Sequence, residues 1–305
     1  MEFPRPESHF AQVNGIQLHY VAAGDGPTVM LLHGFPETHR SWDLQLPTLV
    51  RAGFRVIAPD LRGYGSSDRP RSGYDIHTLA TDIEALIQCT SPKPLALVGH
   101  DWGGAVAWHL ATHHPSLLRR LVILNCPHPV RMAEALTSDL RQLARSWYML
   151  FFQLPLLPEW WLTKNEGANL VRLFRASFRR PHEPPAEILD ASRRALLEPG
   201  AARAAIAYYR HAAQGWFHPL RLRALRASYA PIQVPVAILW GQQDSALGES
   251  LLEGSERFAP DLEIHRLPLA GHFVHQEQPD SVNQRLLAIL RLPSTDSNSH
   301  ASRTE

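Results

Sequence analysis

Short apolar runs alternate with segments of helical periodicity along most of the chain. Thr28–Leu32, Leu95–Val98 and Leu121–Leu124 are continuous apolar runs, which are typical of strands buried on both faces. Strands alternating with helices predict an α/β fold, a mostly parallel sheet with helices on both faces. The other predicted elements are strands at Arg55–Ala58, Pro235–Trp240 and Leu262–Leu267, and helices at Arg40–Ala52, Asp75–Cys89, Trp102–His113, Leu251–Phe258 and Pro279–Leu292.

The start of the chain carries a hairpin signal. Asn14-Gly15 separates two alternating segments, Phe10–Val13 and Ile16–Ala22, and this dipeptide favours a two-residue turn between antiparallel strands. We therefore expect antiparallel strands at one edge of the sheet.

The alternation of strands and helices breaks once, between about residues 128 and 228. This block has helical periodicity, many arginines and aromatic residues, and almost no strand signal. It predicts a helical cap (lid) inserted after the Leu121–Leu124 strand, above the carboxyl ends of the strands, where open α/β sheets bind ligands. The predicted organisation is a core at 1–127 and 229–293, a cap at 128–228 and a disordered polar tail at 294–305.

Composition excludes several classes of function. With 305 residues and a net charge of +1, the chain gives no electrostatic support for nucleic-acid binding. No apolar stretch approaches the ~18 residues of a membrane span, and two cysteines favour a reducing, cytoplasmic setting. The histidines do not fall in metal-ligand spacing, so we expect no metal and no cofactor. The expected partner is a small molecule, bound by a monomer or homodimer.

The strongest chemical signal is Gly99-His-Asp-Trp-Gly-Gly104, which lies between a predicted strand and a predicted helix. It has the form of the G-x-nucleophile-x-G turn, in which a sharp bend presents a reactive side chain. The presented group here is the carboxylate of Asp101, where the usual motif has serine. Asp101 as a simple helix cap is the alternative, but capping does not explain the glycines around it.

An acid and a base follow in the order that this architecture requires. Asp244 comes directly after the predicted strand at 235–240, and His272 lies in a small-residue loop after the last strand. Taken singly, Asp244 is also a good turn residue, and His265 and His275 are rivals of His272. Together, Asp101, Asp244 and His272 predict a nucleophile, an orienting acid and a general base.

A carboxylate nucleophile can displace a leaving group at saturated carbon and form an alkyl ester. Water activated by His272 then hydrolyses the ester, while the backbone N–H groups of Phe35 and Trp102 form an oxyanion hole. An epoxide oxygen leaves as an alkoxide and needs a proton donor, for which tyrosine is suitable. The cap contains Tyr148, Tyr208, Tyr209 and Tyr229, although their spacing alone favours core packing.

Several motifs together resemble the α/β-hydrolase-fold epoxide hydrolases, of the soluble epoxide hydrolase type, over about residues 8–293. The resemblance implies that Tyr148 and Tyr209 donate the ring-opening protons and that the bond before Pro36 is cis. It also implies a substrate pocket that is lined by Phe35, Pro36, Trp102, Phe152 and Phe273. The motifs are H-G-F-P-E (33–37), D-L-R-G-Y-G-S-S-D (60–68), G-H-D-W-G-G (99–104), F-Q-L-P (152–155), Y-Y-R (208–210), W-G-Q-Q-D (240–244) and G-H (271–272).

Two other functions stay open on the sequence. Haloalkane dehalogenases share G-H-D-W-G-G, although many of them have asparagine at the position of Phe35. The epoxide hydrolase family itself often has asparagine at the position of His211, so this chain departs from it there. A small-molecule receptor on the same fold would not need the full set of Asp101, Asp244 and His272. We therefore expect a hydrolase that opens epoxides to vicinal diols.

Overall fold

The computed structural model describes residues 5–179, 181–216 and 219–292. Its eight strands form one sheet in the order β1-β2-β4-β3-β5-β6-β7-β8, and the strands from β3 onwards pair in parallel. The predicted α/β architecture is therefore confirmed. The strands are β1 (Glu7–Val13), β2 (Ile16–Ala23), β3 (Thr28–Leu32), β4 (Arg55–Pro59), β5 (Leu95–His100), β6 (Leu118–Leu124), β7 (Val236–Gly241) and β8 (Leu262–Leu267).

The predicted hairpin forms one edge of the sheet. Val13 pairs with Ile16 across the turn, and Asn14 and Gly15 have φ of 44° and 76°. Both central residues of a type I′ turn need positive φ, which explains why Asn-Gly occupies it. β2 then pairs antiparallel with β4, and this joins the hairpin to the parallel strands.

Twelve α-helices are found in the described residues. Seven of them, α4 to α10 below, follow one another between β6 and β7, with no strand among the described residues of that interval. The division of the chain into core and cap remains a prediction, and the predicted tail lies outside the described residues. The helices are α1 (Leu46–Arg51), α2 (Ile76–Thr90), α3 (Trp102–His113), α4 (Pro129–Ser138), α5 (Leu140–Arg145), α6 (Trp147–Phe151), α7 (Leu157–Ser177), α8 (Ala186–Leu197), α9 (Ala201–Trp216), α10 (Pro219–Ser228), α11 (Val274–Glu277) and α12 (Pro279–Arg291).

Two predicted helices are wrong in extent. The helix predicted at 40–52 is a 3₁₀ turn at His39–Trp42 followed by α1, because Pro47 has no N–H to continue a helix and suits a first turn. The helix predicted at 251–258 is two 3₁₀ turns, Glu249–Leu252 and Ser255–Arg257, divided by Gly254 at φ 73°. β5 also extends to His100, two residues beyond the run predicted at Leu95–Val98.

Alternate residues of the central strands fill two apolar layers. Met30 and Ile123 belong to the layer that includes α2 and α3, whereas Val29 and Val122 belong to the layer that includes α1 and α12. Both faces are covered, which explains the near-continuous apolar runs in the central strands. Their carboxyl ends meet at one edge of the sheet, and the loops that leave this edge carry the predicted catalytic residues.

Candidate active site

Asp101 lies on the sharp turn between β5 and α3. Its backbone has φ 48° and ψ −120°, and its side chain makes no capping hydrogen bond to α3. A positive φ is strained for a residue with a Cβ, and such strain is concentrated at functional sites. Instead, Oδ1 of Asp101 accepts a hydrogen bond from the N–H of Phe35 at 2.8 Å. The geometry therefore supports presentation of this carboxylate rather than helix capping.

The loop after β3 approaches Asp101 very closely. A Cβ on Gly34 would lie 2.4 Å from the Cβ of Asp101, so only glycine fits at this position. The Phe35–Pro36 peptide bond is cis, as the resemblance implies. The close approach brings the Phe35 N–H to the carboxylate, where the sequence predicts one side of an oxyanion hole.

His272 lies between two carboxylates. Its Nδ1 donates to Oδ2 of Asp244 at 2.7 Å, and its Nε2 is 3.7 Å from Oδ2 of Asp101. The contact with Asp244 is a short charge-assisted hydrogen bond, whereas the distance to Asp101 is too long for a hydrogen bond. The structure thus brings the three predicted residues together. The rivals lie elsewhere, since His265 contacts Arg285 and His275 contacts Ser41.

Asn125 holds Asp244 in place, a role that the sequence reasoning missed. Asn125 directly follows β6 and has φ 40°. Its Nδ2 donates to Oδ2 of Asp244 at 2.8 Å, and its Oδ1 accepts from the N–H of Gly241. The other oxygen of Asp244 accepts from the N–H groups of Ala246 and Leu247. The sequence does carry a signal for this role, namely a polar residue directly after a buried strand.

The charges of Asp101, Asp244 and His272 are strongly coupled. Burial disfavours the imidazolium of His272, but the charges of Asp244 and Asp101 outweigh it and hold the pKa of His272 well above 6.5. Burial would raise the pKa of both carboxyl groups, yet their interactions with His272 leave the pKa values of Asp101 and Asp244 below 3.8. The resting site therefore has one imidazolium between two carboxylates.

A second buried polar network contacts the backbone of His272. The Nδ1 of His100 lies 3.0 Å from a carboxylate oxygen of Glu37, and its Nε2 lies 3.0 Å from the carbonyl oxygen of His272. Ser41 and Gln276 also donate to Glu37, and these contacts overcome the cost of burial and lower its pKa to about 2. Sequence reasoning missed this network, although Glu37 and His100 both stand inside the quoted motifs.

A cavity of about 530 Å³ opens beside Asp101, between α3 and the helices that follow β6. Asp101, Tyr148 and Tyr209 all line it. Apart from a few polar groups its wall is apolar, which suits an apolar small molecule held by a few polar contacts. The lining residues are Tyr74, Asp75, Ile76, Asp101, Trp102, Ala105, Cys126, Pro127, Pro129, Met132, Tyr148, Met149, Tyr208, Tyr209, His211, Ala212, Ala224, Leu225, Ser228, Tyr229 and Leu247.

The candidate proton donors lie side by side in this wall. The ring centroids of Tyr148 and Tyr209 are 5.9 Å apart, and that of Tyr209 is 5.1 Å from the ring of Trp102. Burial, followed by the charge of Asp101, raises the pKa of both phenols well above 10. Both therefore carry their protons at neutral pH.

The other two tyrosines of the helical block use their hydroxyl groups elsewhere. Tyr208 donates to the carbonyl of Arg62 at 2.7 Å, and the hydroxyl of Tyr229 lies 3.1 Å from Nδ1 of His109. Although both rings line the cavity, neither phenol faces Asp101 as a free donor.

The predicted pocket residues do not all line the cavity. Trp102 lines the cavity, whereas Phe35, Pro36, Phe152 and Phe273 are not among its lining residues. Phe35 and Phe152 instead pack edge to face with centroids 5.6 Å apart, and Phe273 stacks on Phe174 at 4.3 Å. Their part in binding substrate stays a prediction.

Two clusters in the described residues bring three potential metal ligands together, although neither contains a predicted catalytic residue. In the first, the Nδ1 atoms of His19 and His39 lie 2.8 and 2.9 Å from the oxygens of Asp60. In the second, Glu37 is joined to His100 and His275. The distances in the first cluster are those of hydrogen bonds rather than of two donors sharing an ion, so this geometry does not call for a metal.

Residues 27–279 match the family model described as the alpha/beta hydrolase fold. The chain belongs to this family. It is 39% identical over 286 residues to the AB hydrolase superfamily protein YfhM of Bacillus subtilis, covering 92% of this chain and 97% of that protein. It is 33% identical to epoxide hydrolase 4 of Homo sapiens, covering 91% of this chain and 76% of that protein.

A solved structure of Bacillus megaterium epoxide hydrolase in complex with an inhibitor superimposes with a TM-score of 0.82 at 29% identity. It covers 93% of this chain and 100% of that chain. The protein is thus an epoxide-hydrolase-like α/β-hydrolase, and the predicted fold, family and enzyme class are confirmed. None of the described helices has the length and hydropathy to cross a bilayer.

Proposed function

We propose that this enzyme hydrolyses epoxides to vicinal diols through a covalent ester on Asp101. The observation that carries the proposal is the pair Tyr148 and Tyr209, two protonated phenols that line the same cavity as the Asp101 carboxylate. An epoxide needs a nucleophile on a ring carbon and an acid on the ring oxygen at the same time. This arrangement supplies both.

In the first step, Oδ2 of Asp101 attacks a ring carbon while the carbon–oxygen bond of the epoxide breaks. Oδ1 keeps its hydrogen bond from the Phe35 N–H, so the attacking oxygen is the one left free. The departing alkoxide takes a proton from Tyr148 or Tyr209. The products of this step are a hydroxyalkyl ester of Asp101 and one tyrosinate.

In the second step, His272 takes a proton from water and the oxygen of that water adds to the ester carbonyl. The negative charge moves to Oδ1, where the Phe35 N–H and the predicted Trp102 N–H stabilise it. Collapse of this intermediate expels the diol oxygen, which is protonated by His272. Asp101 regains its charge after the solvent has returned a proton to the tyrosinate and the acid formed has ionised.

Ester formation also prepares the base. The charge of Asp101 helps to raise the pKa of His272, and esterification removes that charge. The pKa of His272 therefore falls when the ester forms, and more of the imidazole becomes neutral when water must be deprotonated. The Asp244 hydrogen bond keeps Nε2 directed at the reacting groups.

Single turnover in ¹⁸O-labelled water tests the covalent step. Because water attacks the ester carbonyl, we expect the label in the Asp101 carboxylate and not in the first equivalent of diol. Label in the diol alone would contradict the ester. A panel of terminal, internal and aryl epoxides tests the substrate class, with chloro- and bromoalkanes as the control. Halide release without diol formation would instead identify a haloalkane dehalogenase.

A further inference from the structure

Exposed apolar side chains are concentrated on one part of the helical block that follows β6. Seven of the eleven strongly exposed large apolar residues in the described chain lie between Leu140 and Trp160. Leu140 is 83% exposed and Leu156 is 79% exposed. Scattered apolar residues on a surface are ordinary, but such a concentration marks an interaction site. The patch, called the 140–160 patch below, consists of Leu140, Trp147, Leu150, Leu154, Leu156, Leu157 and Trp160.

The patch extends from the first residue of α5 across α6 to the start of α7. Trp147 and Leu150 are three residues apart on α6, as Leu157 and Trp160 are on α7, so each pair shares a helix face. Phe151 links the two helices, because its ring lies 6.3 Å from that of Trp147 and 5.6 Å from that of Trp161.

Leu156 is held in a strained conformation although its side chain is outside the core. Its backbone has φ 61° and ψ −30°, which is unfavourable for a residue with a bulky side chain. A leucine that is 79% exposed gains little packing energy to offset this strain. We therefore expect the exposed side chain to have a use outside the folded monomer.

Three cations lie on the segment that carries the patch or just after it. Arg141, Arg145 and Lys164 form no salt bridge among the described residues, and Lys164 lies over the ring of Trp160 at 4.2 Å. The sequence from Leu140 to Pro158 contains no acidic residue. Glu159, which lies between Leu157 and Trp160, is paired with Arg210 at 2.6 Å. The carboxylate of Asp139, directly before Leu140, accepts hydrogen bonds from the N–H groups of Arg141 and Gln142 at the start of α5.

We propose that the 140–160 patch docks on an anionic lipid bilayer. Leucine and tryptophan side chains would enter the boundary between headgroups and acyl chains, while the neighbouring cations meet lipid phosphates. A twofold dimer through the same patch would bring both copies of Arg141, Arg145 and Lys164 into one interface, which disfavours a second copy as the occupant.

The position of the patch also links it to the cavity. Trp147 and Leu150 flank Tyr148 on α6, and Tyr148 lines the apolar cavity beside Asp101. A docked molecule would therefore present its substrate cavity close to the lipid in which an apolar epoxide dissolves. This last consequence rests on the proposed function, but lipid binding itself does not depend on it.

Sedimentation of the full chain with lipid vesicles tests the proposal without any measurement of turnover. We expect binding to vesicles of phosphatidylcholine mixed with phosphatidylglycerol and weaker binding to phosphatidylcholine alone. Trp160→Ser and Leu156→Ser should each lower the partition coefficient by about tenfold, because each removes one large apolar group from the interface. The matched control is Leu269→Ser, since Leu269 is 64% exposed but lies outside the patch, and its binding should be unchanged.

Leu156→Gly separates side-chain loss from misfolding. Glycine relieves the strain at this position, so we expect a melting temperature no lower than that of the unchanged protein, together with weaker vesicle binding. Absence of binding to both kinds of vesicle would overturn the proposal, as would equal binding by the Leu156 and Leu269 variants. A dimer in sedimentation velocity that Leu156→Ser dissociates would also overturn it, with a second copy as the occupant.

Discussion

Tyr208 donates its hydroxyl hydrogen to the backbone carbonyl of Arg62 at 2.7 Å. Its neighbour on α9, Tyr209, instead packs against Trp102 and Phe35, and the charge of Asp101 contributes to its raised pKa. Successive residues of a helix point about 100° apart. The pair therefore offers a natural control, with one phenol at the candidate site and one committed to the fold.

Replacement of these tyrosines tests the proton donors. Tyr209→Phe and Tyr148→Phe should each lower kcat for diol formation, and the double variant should lose about 10²–10⁴-fold, which is the usual contribution of a positioned acid. Diol formation measured under saturating epoxide gives the comparison. The rings remain, so the cavity keeps its apolar wall.

Tyr208→Phe should behave differently. It leaves the Arg62 carbonyl without its buried donor, which costs about 1–3 kcal/mol of unfolding free energy, while kcat stays close to that of the unchanged enzyme. Urea unfolding and the same diol assay check both parts. Full activity in the Tyr148/Tyr209 double variant, or loss of activity in Tyr208→Phe alone, would show that the donors are misassigned.

Asp244→Asn should separate the two chemical steps. Without the negative charge, the imidazole is no longer held in the tautomer that leaves Nε2 free to take a proton, and hydrolysis of the ester should slow by about 10³–10⁴-fold. Ring opening by Asp101 does not need the base, so the ester should accumulate. Intact-mass spectrometry after mixing with an epoxide would detect one added substrate mass per chain. Steady turnover at the original rate would contradict the assignment of Asp244.

The pH dependence of ester hydrolysis follows from His272. Two carboxylates raise its pKa well above 6.5 in the resting enzyme, and only the neutral imidazole can accept a proton from water. The hydrolysis rate should therefore rise with pH, along a curve set by the lower pKa that His272 has once Asp101 is esterified. Single-turnover rates measured across pH check this prediction. A hydrolysis rate that falls as the pH rises from about 6 to about 8, within the range in which histidine usually titrates, would contradict it.

Gly34→Ala should damage the candidate site directly. A Cβ at this position would stand 2.4 Å from that of Asp101, so the carboxylate or the loop with the Phe35 N–H must shift. We expect lower kcat and lower stability together. Gly15→Ala is the control, because its Cβ would meet no atom within 4 Å, and the positive φ alone should cost about 1 kcal/mol with no loss of kcat.

Lowering the pH should decrease the free energy of unfolding, because several histidines are buried in their neutral form. Burial lowers the pKa values of His109, His128 and His275 to about 3, so the unfolded chain binds protons below pH 6.5 that the folded chain does not. Each residue therefore contributes stability that is present above pH 6.5 and is lost as the pH falls towards 3, at about 1.4 kcal/mol per pH unit.

His128→Asn isolates one of these contributions. Asparagine can still accept the hydrogen bond that His128 takes from the N–H of Val130 at the start of α4, but it does not titrate. The slope of unfolding free energy against pH between about 6 and 4 should fall by nearly one proton. His9→Asn, at a partly exposed position on β1, is the comparison variant, and an unchanged slope in His128→Asn would refute the assignment.

The sequence by itself determined the strand pattern and the order of the chemical groups. Apolar runs buried on both faces, such as the strand at 28–32, need no knowledge of their neighbours to be recognised. Asp101, Asp244 and His272 were found because each follows a strand, and parallel strands bring their carboxyl ends to one edge. Local backbone preferences, such as Asn14-Gly15 in a hairpin turn, were equally readable.

Tertiary structure alone decided which groups meet at a given atom. The contact of Asn125 with Asp244, the network of Glu37 and His100 beneath His272, and the different roles of Tyr208 and Tyr209 all join residues far apart in sequence. Spacing fixes the direction of a side chain on its own helix, but its partner depends on how the helices pack. For the same reason, the apolar pattern between Leu140 and Trp160 does not by itself show which leucines are exposed.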